Sequence, residues 1–511
     1  MNIHLVISTN NNTVNAIPLL MDEFKDNRVP VILSSEYAEK KHWTSNLQYV
    51  LKKKNITSKL LSFKDDENEL DDKLKEFNNK DLYPSIYFNI SGGKKNQILS
   101  LLSLYIERKN PEDKLIYVDS NPFKIKVYKG FKLADEYGPK CILNIEDVFN
   151  IYGFTCFNSN NTLENYVSSQ QPEGLSIEKI RKINQYFLNN EDFAKFFYQY
   201  FAKPTLELEE KTSLTNKIDE ILKNYKPNLQ CCKNNVDDKI QKEYENIVRD
   251  LKKLRTKYQN TDKIDCKDLR QCWKLTNRLI NEEDIYNKYW GQIKLCIINE
   301  LKQTLPVDKH LLFYEPEQVK NIVNICKEIT SKNIPPHKHI YDTDIPQLLD
   351  INYTKGEFFE IMLSIKFYDI IKEKKPEALS RVYKNLQAYN LEYDNEGNAY
   401  LPDSKAQSVV EYDLVYLTEF GTISSFEAKT FGITGDVIKS KSYSAASQGG
   451  VFSTNIILTN IQKTHLKNEE FAKNYIPQSV RNQLQDMEKY RIDICYFDEI
   501  EDKLIRILSQ K

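Results

Sequence analysis

The sequence of 511 residues has few cysteines, few glycines and almost no net charge. Its nine cysteines are spread thinly and form no CxxC pair, which argues against a disulfide framework or a zinc site. No apolar run approaches the ~20 residues that a membrane-spanning helix needs. The N-terminal residues lack the basic region of a signal peptide and read as a first strand. We therefore expect a cytoplasmic protein with reduced thiols and no membrane partner.

The charges are balanced, which excludes one class of protein. Lysine and arginine number 72, and aspartate and glutamate 73, for a net charge of −1. A protein that coats nucleic acid through overall positive charge is excluded, whereas a locally basic cleft is still allowed. Hydrophobic residues make up 40% of the chain and aromatic residues 12%, which excludes wholesale disorder. We expect packed domains, about three for this length.

The few glycines are unevenly distributed. Only two of the fourteen lie between Phe154 and Lys355. Glycine is needed where backbones turn sharply or approach a ligand, so the flanking thirds resemble α/β domains and the middle resembles a helical region. We predict an N-terminal domain over 1–150, a helical linker or insertion over 151–345 and a C-terminal domain over 346–511. Within the middle, Lys239–Tyr258 and Leu269–Thr304 have helical patterns.

The N-terminal third alternates short apolar strands with segments of helical spacing. This rhythm predicts a doubly wound, mostly parallel sheet, which binds ligands at the carboxyl ends of its strands. The predicted strands are Asn2–Ser8, Val29–Ser34, Ile56–Phe63, Ser85–Ile90 and Lys114–Asp119.

A candidate anion site follows the strand Ser85–Ile90. Gly92 and Gly93 allow close backbone approach, and the next helix presents free N–H groups together with Lys94 and Lys95. The loop after the first strand would lie on the same edge. Each piece alone is also explained by a tight βα turn or a helix cap, and the segment is neither a Walker A loop nor GxGxxG. The candidate ligand-binding residues are Ser8, Thr9, Asn10, Asn12, Thr13, Ser91, Gly92, Gly93, Lys94, Lys95 and Asn96.

The C-terminal third carries a more specific constellation. Val409–Leu417 and Thr422–Ala428 read as the strands of a hairpin that turns near Gly421. Such a hairpin can bring Asp413 beside Glu427, and the i, i+2 spacing places Glu427 and Lys429 on one strand face. Asp413, Glu427 and the carbonyl of Ala428 are expected to hold Mg²⁺ or Mn²⁺.

Two further features bear on the same site. Glu360 lies in the apolar helix Gly356–Lys372, where a carboxylate needs a partner such as Lys429 or a metal-bound water. Gly449 and Gly450 would permit a close backbone approach, and Lys439 and Lys441 are candidates to hold a substrate backbone. The alternative interpretation is an amphipathic hairpin with solvated charges.

These residues resemble two families. Asp413, Glu427 and Lys429, with Glu360 on a helix, resemble the PD-(D/E)xK nuclease superfamily, although Tyr412 stands where proline is common. The strand end Asn89–Gly93 followed by Lys94 resembles CARF domains, the Rossmann-like sensors of cyclic oligoadenylates in type III CRISPR immunity. Lys94 stands where that family often has threonine.

The order of the two halves resembles CARF–nuclease effectors activated by cyclic tetra-adenylate. The resemblance implies a Rossmann-like CARF domain, a helical middle region and a mixed α/β PD-(D/E)xK nuclease domain. It implies a homodimer that binds one cyclic oligoadenylate across its two-fold axis. It further implies hydrolysis of DNA or RNA phosphodiesters with Mn²⁺ or Mg²⁺ in antiviral defence, and catalytic roles for Glu360, Asp413, Glu427 and Lys429.

Three alternatives stay open at this point. The chain is a ring nuclease that degrades its own cyclic oligoadenylate, a non-enzymatic sensor or scaffold whose helical middle binds a partner, or a restriction-type nuclease without a small-molecule switch.

Overall fold

The computed structural model describes most of the chain outside residues 207–315. The described residues are 1–25, 28–64, 67–120, 123–138, 140–169, 176–201, 205–206, 249, 253, 264–265, 316–332, 348–403, 406–431, 453–489 and 493–509.

Seventeen strands are present among these residues. They are β1 (Ile3–Ile7), β2 (Val29–Ser35), β3 (Lys59–Phe63), β4 (Ile86–Asn89), β5 (Lys114–Ser120), β6 (Phe123–Lys129), β7 (Lys132–Tyr137), β8 (Phe154–Cys156), β9 (Thr205–Leu206), β10 (Ile264–Asp265), β11 (Val382–Asn390), β12 (Glu392–Tyr393), β13 (Ala399–Tyr400), β14 (Val410–Leu417), β15 (Ile423–Lys429), β16 (Thr454–Thr459) and β17 (Asp493–Cys495).

Sixteen α-helices accompany them in the described part of the chain. They are α1 (Thr13–Leu20), α2 (Asp22–Lys25), α3 (Glu36–Lys40), α4 (Trp43–Lys53), α5 (Glu67–Leu74), α6 (Lys95–Arg108), α7 (Ile145–Ile151), α8 (Leu163–Ser169), α9 (Ile177–Asn189), α10 (Glu191–Phe201), α11 (Pro316–Thr330), α12 (Lys355–Lys374), α13 (Lys463–Lys467), α14 (Glu469–Tyr475), α15 (Gln478–Lys489) and α16 (Ile500–Leu508).

The first sheet has seven strands in the order β3-β2-β1-β4-β5-β6-β7. The first five pair in parallel, and β6 and β7 extend the sheet as antiparallel strands. All five residues of β1 are buried, as expected for an apolar central strand covered on both faces. The five predicted strands of the N-terminal third are present, with ends that differ by up to three residues.

The second sheet has six strands in the order β17-β16-β15-β14-β11-β8. From β8 through β11 and β14 to β15, each strand is antiparallel to the next one in the sheet. Strands β15, β16 and β17 run parallel to one another. Helix α12 packs on this sheet, with Phe367 in edge contact with Phe426 at 5.0 Å between ring centroids. Its N-terminus is stabilised by a capping box between Thr354 and Glu357.

The two sheets share one layer of helices. One apolar cluster joins residues of the first sheet, such as Val6, and of the second sheet, such as Val415, through α1, α4 and α7. A second cluster covers the other face of the first sheet with α5 and α6. A third joins the second sheet to α8–α12 and the C-terminal helices. The result is a stack of alternating helix and sheet layers.

Most of the described parts of the middle region belong to the second sheet and its helices, whereas β9 and β10 form a separate two-stranded antiparallel sheet. Strand β8 pairs with β11 at the edge of that sheet. In α9, Arg181 forms an ion pair with Asp369 of α12 at 2.6 Å, and Asn184 donates to the carbonyl of Met362. Most of the predicted helices Lys239–Tyr258 and Leu269–Thr304 lie outside the described residues. The three-part domain division stays a prediction.

Among the described segments, no helix is both long enough and apolar enough to cross a lipid bilayer.

Candidate active site

The hairpin of β14 and β15 brings Asp413 to Glu427. Leu414 pairs with Phe426 in the antiparallel register, so Asp413 and Glu427 follow one step further along the two strands. The turn of this hairpin includes Gly421, whose φ of +69° favours glycine. The backbone N–H of Ala428 donates to Asp413 Oδ2 at 2.7 Å. The hydrogen bond fixes the Asp413 carboxylate against the strand that carries Glu427 and Lys429.

Glu427 and Lys429 form an ion pair on one strand. Lys429 Nζ donates to Glu427 Oε1 at 2.6 Å, and Glu427 is 4% exposed. Their i, i+2 spacing places both side chains on the same face of the pleated strand, which makes the contact possible. The ion pair holds the ammonium group of Lys429 near the Asp413 carboxylate.

Glu360 reaches the same cluster from helix α12. Its carboxylate lies 3.8 Å from Lys384 Nζ of β11, and Lys384 is 4% exposed. Burial raises the pKa of Glu360, and the positive charges of Lys384 and Lys429 partly offset that effect. Burial also lowers the pKa of Lys384, against the stabilising charges of Glu360 and Asp413. The cluster therefore holds three carboxylates and two lysines within electrostatic range of one another.

The pKa of the Asp413 carboxyl is strongly raised. Burial, together with the negative charges of Glu427 and Glu360, raises the pKa of Asp413 to about 7, although the Ala428 N–H and Lys429 act in the opposite direction. A carboxyl with a pKa this high near other carboxylates is typical of functional sites rather than of surface charge pairs.

The donor set is compatible with a hard divalent cation. Within the described ranges, no three His, Cys, Asp or Glu side chains are grouped so as to hold a metal ion. The expected ligand set has only two carboxylates, from Asp413 and Glu427, and these are adjacent. A buried carboxyl whose pKa is raised by like charge is stabilised by a cation, and oxygen donors suit Mg²⁺ and Mn²⁺. For Ala428, the contact seen is through its N–H, not its carbonyl.

Two residues near Glu360, Lys384 and Tyr166, are not among those predicted from the sequence. Lys384 lies in the strand Val382–Asn390, and its Nζ lies 4.9 Å from the ring centroid of Tyr166 in α8. Asn385 has a φ of +51° within that strand. The signal available in the sequence was a lysine in a strand segment with apolar residues such as Val382 and Leu386, since a lysine is costly to bury without partners.

The N-terminal candidate residues also lie together. Strands β1 and β4 are parallel neighbours, so the loop after β1 and the glycine pair after β4 meet at one edge. A Cβ on Gly92 would lie 3.2 Å from the Ile7 carbonyl oxygen, and Gly93 has a φ of +113°. The glycine pair is thus required by its packing against the end of β1. Ser91 Oγ accepts from the N–H of Val118, which ties this turn to β5.

The candidate loop residues divide by exposure. Asn12 donates to Ser8 Oγ and to the Trp43 carbonyl, and Asn12 and Thr13 are almost fully buried. Both residues therefore support the loop from inside. The residues that reach the surface in whole or in part are Thr9, Asn10, Ser91, Gly93, Lys94, Lys95 and Asn96.

The two candidate sites are connected by direct packing. Thr13 Oγ1 lies 2.9 Å from the hydroxyl of Tyr152, which donates to Asn11 Oδ1. Phe123 of the first sheet stacks on Phe420 in the turn of the β14–β15 hairpin, at 4.5 Å between ring centroids. The loop after β1 therefore contacts the helix layer that lies between the first and the second sheet.

Some predicted residues cannot be placed. Lys439, Lys441, Gly449 and Gly450 lie outside the described residues.

Comparisons with known proteins show similarity of fold. No protein family and no curated protein sequence matches the chain. The crystal structure of protein VC1899 from Vibrio cholerae matches with a TM-score of 0.52 and 12% identity, covering 100% of this chain and 98% of that one. At this identity the match shows a shared fold over the whole chain.

Two further solved structures are similar to a lower degree. Can2 from Sulfobacillus thermosulfidooxidans, in complex with cyclic tetra-adenylate, has a TM-score of 0.49 and 10% identity, covering 99% of this chain and 96% of that one. A type III CRISPR defence DNA nuclease activated by cyclic oligoadenylate has a TM-score of 0.35 and 9% identity, covering 90% of this chain and 45% of that one.

Proposed function

We propose that this chain is a metal-dependent nuclease that hydrolyses DNA or RNA phosphodiesters. The observation that carries the proposal is the buried Asp413 carboxylate, which accepts from the Ala428 N–H at 2.7 Å beside the Glu427–Lys429 pair. Two adjacent carboxylates and a lysine at the end of a strand are groups that metal-dependent phosphodiester hydrolysis uses. The two carboxylates bind the metal cation, and the positive charge of the lysine faces the phosphate.

The residues have separate roles in this mechanism. Asp413 and Glu427 would hold Mg²⁺ or Mn²⁺, which when bound lowers the pKa of a water and neutralises phosphate charge. Lys429, oriented by Glu427 Oε1 at 2.6 Å, places a positive charge where negative charge develops on the phosphoryl oxygens. Glu360 is half-buried on α12 and accepts a hydrogen bond from the attacking water, which fixes the direction of attack.

We further propose that a cyclic oligoadenylate, with cyclic tetra-adenylate as the first candidate, controls this activity from the N-terminal sheet. Support comes from the adjacent loops after β1 and β4 and from the exposed Lys94 and Lys95 at the start of the 14-residue helix α6. Helix N-termini and lysines favour phosphodiester anions. A ring with several phosphates would be contacted by two copies of this edge, which is consistent with a homodimer.

A cleavage assay tests the nuclease. Labelled single-stranded DNA, single-stranded RNA and supercoiled plasmid are incubated with Mn²⁺ or Mg²⁺, with and without cyclic tetra-adenylate or cyclic hexa-adenylate. We expect cleavage that needs both metal and ring and is lost in Asp413→Asn and Glu427→Gln. Asp369→Asn is the matched control, because Asp369 is a partly exposed partner of Arg181 on the same domain. Cleavage that survives in Asp413→Asn would overturn the assignment.

The same assay separates the other functions. If the ring is degraded equally by the wild type and by Glu427→Gln, the N-terminal domain is a ring nuclease. If rings bind and no substrate is cut under any condition, the chain is a sensor or scaffold. Binding of the ring is measured by calorimetry, and Lys94→Glu with Lys95→Glu is expected to weaken it at least tenfold by charge reversal at two phosphate contacts.

A further inference from the structure

We propose that Lys384 is a positioning residue that holds the Glu360 carboxylate in the active site. The inference rests on the proposed nuclease function. It deepens that function by assigning a role to a lysine on β11, a strand that carries none of the four candidate catalytic residues.

Burial of Lys384 requires specific partners. The side chain is 5% exposed, and a charged ammonium at that depth is costly unless it is paired. Its Nζ lies 3.8 Å from Glu360 Oε2 and 4.9 Å from the centre of the Tyr166 ring. A carboxylate and the face of an aromatic ring both stabilise an ammonium group that has lost its water.

The backbone holds Lys384 in place from both sides. Its N–H donates to the carbonyl of Asn161 at 2.9 Å, and the residue pairs with Leu414 of β14. Leu414 is the neighbour of Asp413 in sequence. The position of the lysine is therefore set by the same strand that carries the predicted metal ligand, and by the segment that leads into α8.

Asn385 marks an irregularity of the strand directly after Lys384. Tyr383 and Leu386 both enter the apolar cluster between the two sheets, although they are three residues apart. The left-handed Asn385, with a φ of +51°, interrupts the two-residue alternation of the strand at this point. Backbone conformations of this kind cost free energy in a non-glycine residue and tend to persist at functional sites.

The function of the pair follows from its geometry. Glu360 extends from a helix, and its carboxylate would repel the charges of Asp413 and Glu427. The ammonium of Lys384 attracts Glu360 on the side of β11, so the carboxylate is kept in one orientation near Asp413. Lys384 does not itself need to contact substrate for this role, whereas Lys429 does.

A double-mutant cycle on cleavage tests the inference. Single-turnover rates are measured for Lys384→Met, Glu360→Gln and the double variant. We expect Lys384→Met to lose about 10- to 100-fold in rate, as is usual for residues that orient a catalytic group. Because Lys384 acts through Glu360, the double variant should be no slower than Glu360→Gln. Lys384→Arg keeps the charge and should recover part of the rate.

Two controls distinguish this role from simple stabilisation. Lys195 also pairs with a glutamate, Glu191, and lies over a tyrosine ring, that of Tyr475, without contact to the four candidate residues. Lys195→Met should keep the wild-type rate. In thermal unfolding, Lys384→Met and Glu360→Gln should each lower Tm, and the double variant should lower it by less than their sum, because each single change leaves an unpaired buried group.

The possible failures are separable. Wild-type cleavage by Lys384→Met, when Asp413→Asn is inactive, would overturn the role of Lys384 alone. Fully additive losses of rate in the cycle would also overturn it, since Lys384 would then act independently of Glu360. Cleavage by Asp413→Asn would instead overturn the proposed function itself.

Discussion

Gly421 of the β14–β15 hairpin lies against Thr13 of the candidate ligand-binding loop, such that a Cβ on Gly421 would stand 3.2 Å from Thr13 Cγ2. The same Cβ would stand 2.8 Å from Leu143 Cδ1. Thr13 belongs to the loop after β1, and Gly421 belongs to the turn that joins the strands of Asp413 and Glu427. The loop after β1 and the turn of the hairpin are therefore in direct packing contact.

Gly421→Ala is expected to destabilise the protein by about 2 kcal/mol, from the cost of left-handed backbone and from overpacking. Gly130→Ala is the matched control, because Gly130 has a φ of +52° and no atom within 4 Å of a new Cβ. The control should show only the backbone cost, about 1 kcal/mol. Urea unfolding measures both, and equal losses would show that the packing on Thr13 and Leu143 is not tight.

Lys429→Met is expected to lower the single-turnover cleavage rate about 10²- to 10³-fold, as for loss of one group that stabilises charge in the transition state. Lys463→Met is the comparison, because Lys463 pairs with Glu499 on the surface at 2.8 Å. Chelation of the metal should abolish cleavage by the wild type, and added Mn²⁺ should restore it. A wild-type rate in Lys429→Met would contradict the assigned role.

Asn385→Val should reduce both stability and activity. A β-branched residue cannot readily adopt the φ of +51°, so we expect a loss of about 1–2 kcal/mol and a slower reaction because Lys384 is displaced. Asn385→Gly should keep the activity. Asn390→Val on the same strand, at an exposed position, should change stability by less than about 0.5 kcal/mol. Full activity in Asn385→Val would show that the left-handed backbone at Asn385 does not affect the active site.

Arg108, at the end of α6, and Asp113, just before β5, form a fully buried ion pair with 2.7 Å between Arg108 Nε and Asp113 Oδ2. Arg108 also donates to the carbonyls of Phe77 and Tyr83. Arg108→Met should lower the free energy of unfolding by about 3–5 kcal/mol, because it leaves Asp113 buried and unpaired.

The exposed pair of Lys75 and Asp72 is the control for Arg108. Lys75→Met should leave the free energy of unfolding close to the wild-type value, because an exposed ion pair contributes little to stability. Both changes are measured by urea unfolding at pH 7. A similarly small effect of Arg108→Met would mean that Asp113 finds another partner or is reached by water.

His4 predicts a pH dependence of stability. Burial, with a smaller effect of the Arg28 charge, lowers the pKa of His4 to about 3 in the folded state. The unfolded state binds the proton near pH 6.5, so between pH 6.5 and 3 the unfolded state carries more protons and stability falls as pH falls. The slope from this residue is at most about 1.4 kcal/mol per pH unit.

His4→Gln removes this contribution. The difference in unfolding free energy between wild type and variant, measured by urea unfolding at several pH values, should be flat above about pH 7 and should change steadily below pH 6.5. A constant difference across the whole range would show that the buried imidazole does not titrate as described.

The sequence by itself determined the local elements and the groups that carry chemistry. The predicted helix Gly356–Lys372 lies within α12, and the predicted hairpin strands match β14 and β15 to within one residue. Hydrophobic periodicity and turn glycines act over short stretches of chain, so they are readable without neighbours. The spacing of Asp413, Glu427 and Lys429 is local in the same sense, because one hairpin joins them.

Only the tertiary structure decided which distant groups complete the site. Tyr166 and Lys384 are far apart in sequence, and their contact arises because β8 and α8 pack at the edge of the second sheet. The contact of Thr13 with Gly421 likewise depends on the helix layer shared by both sheets. Such contacts are set by how whole faces pack, and no periodicity in the sequence encodes the identity of the opposite face.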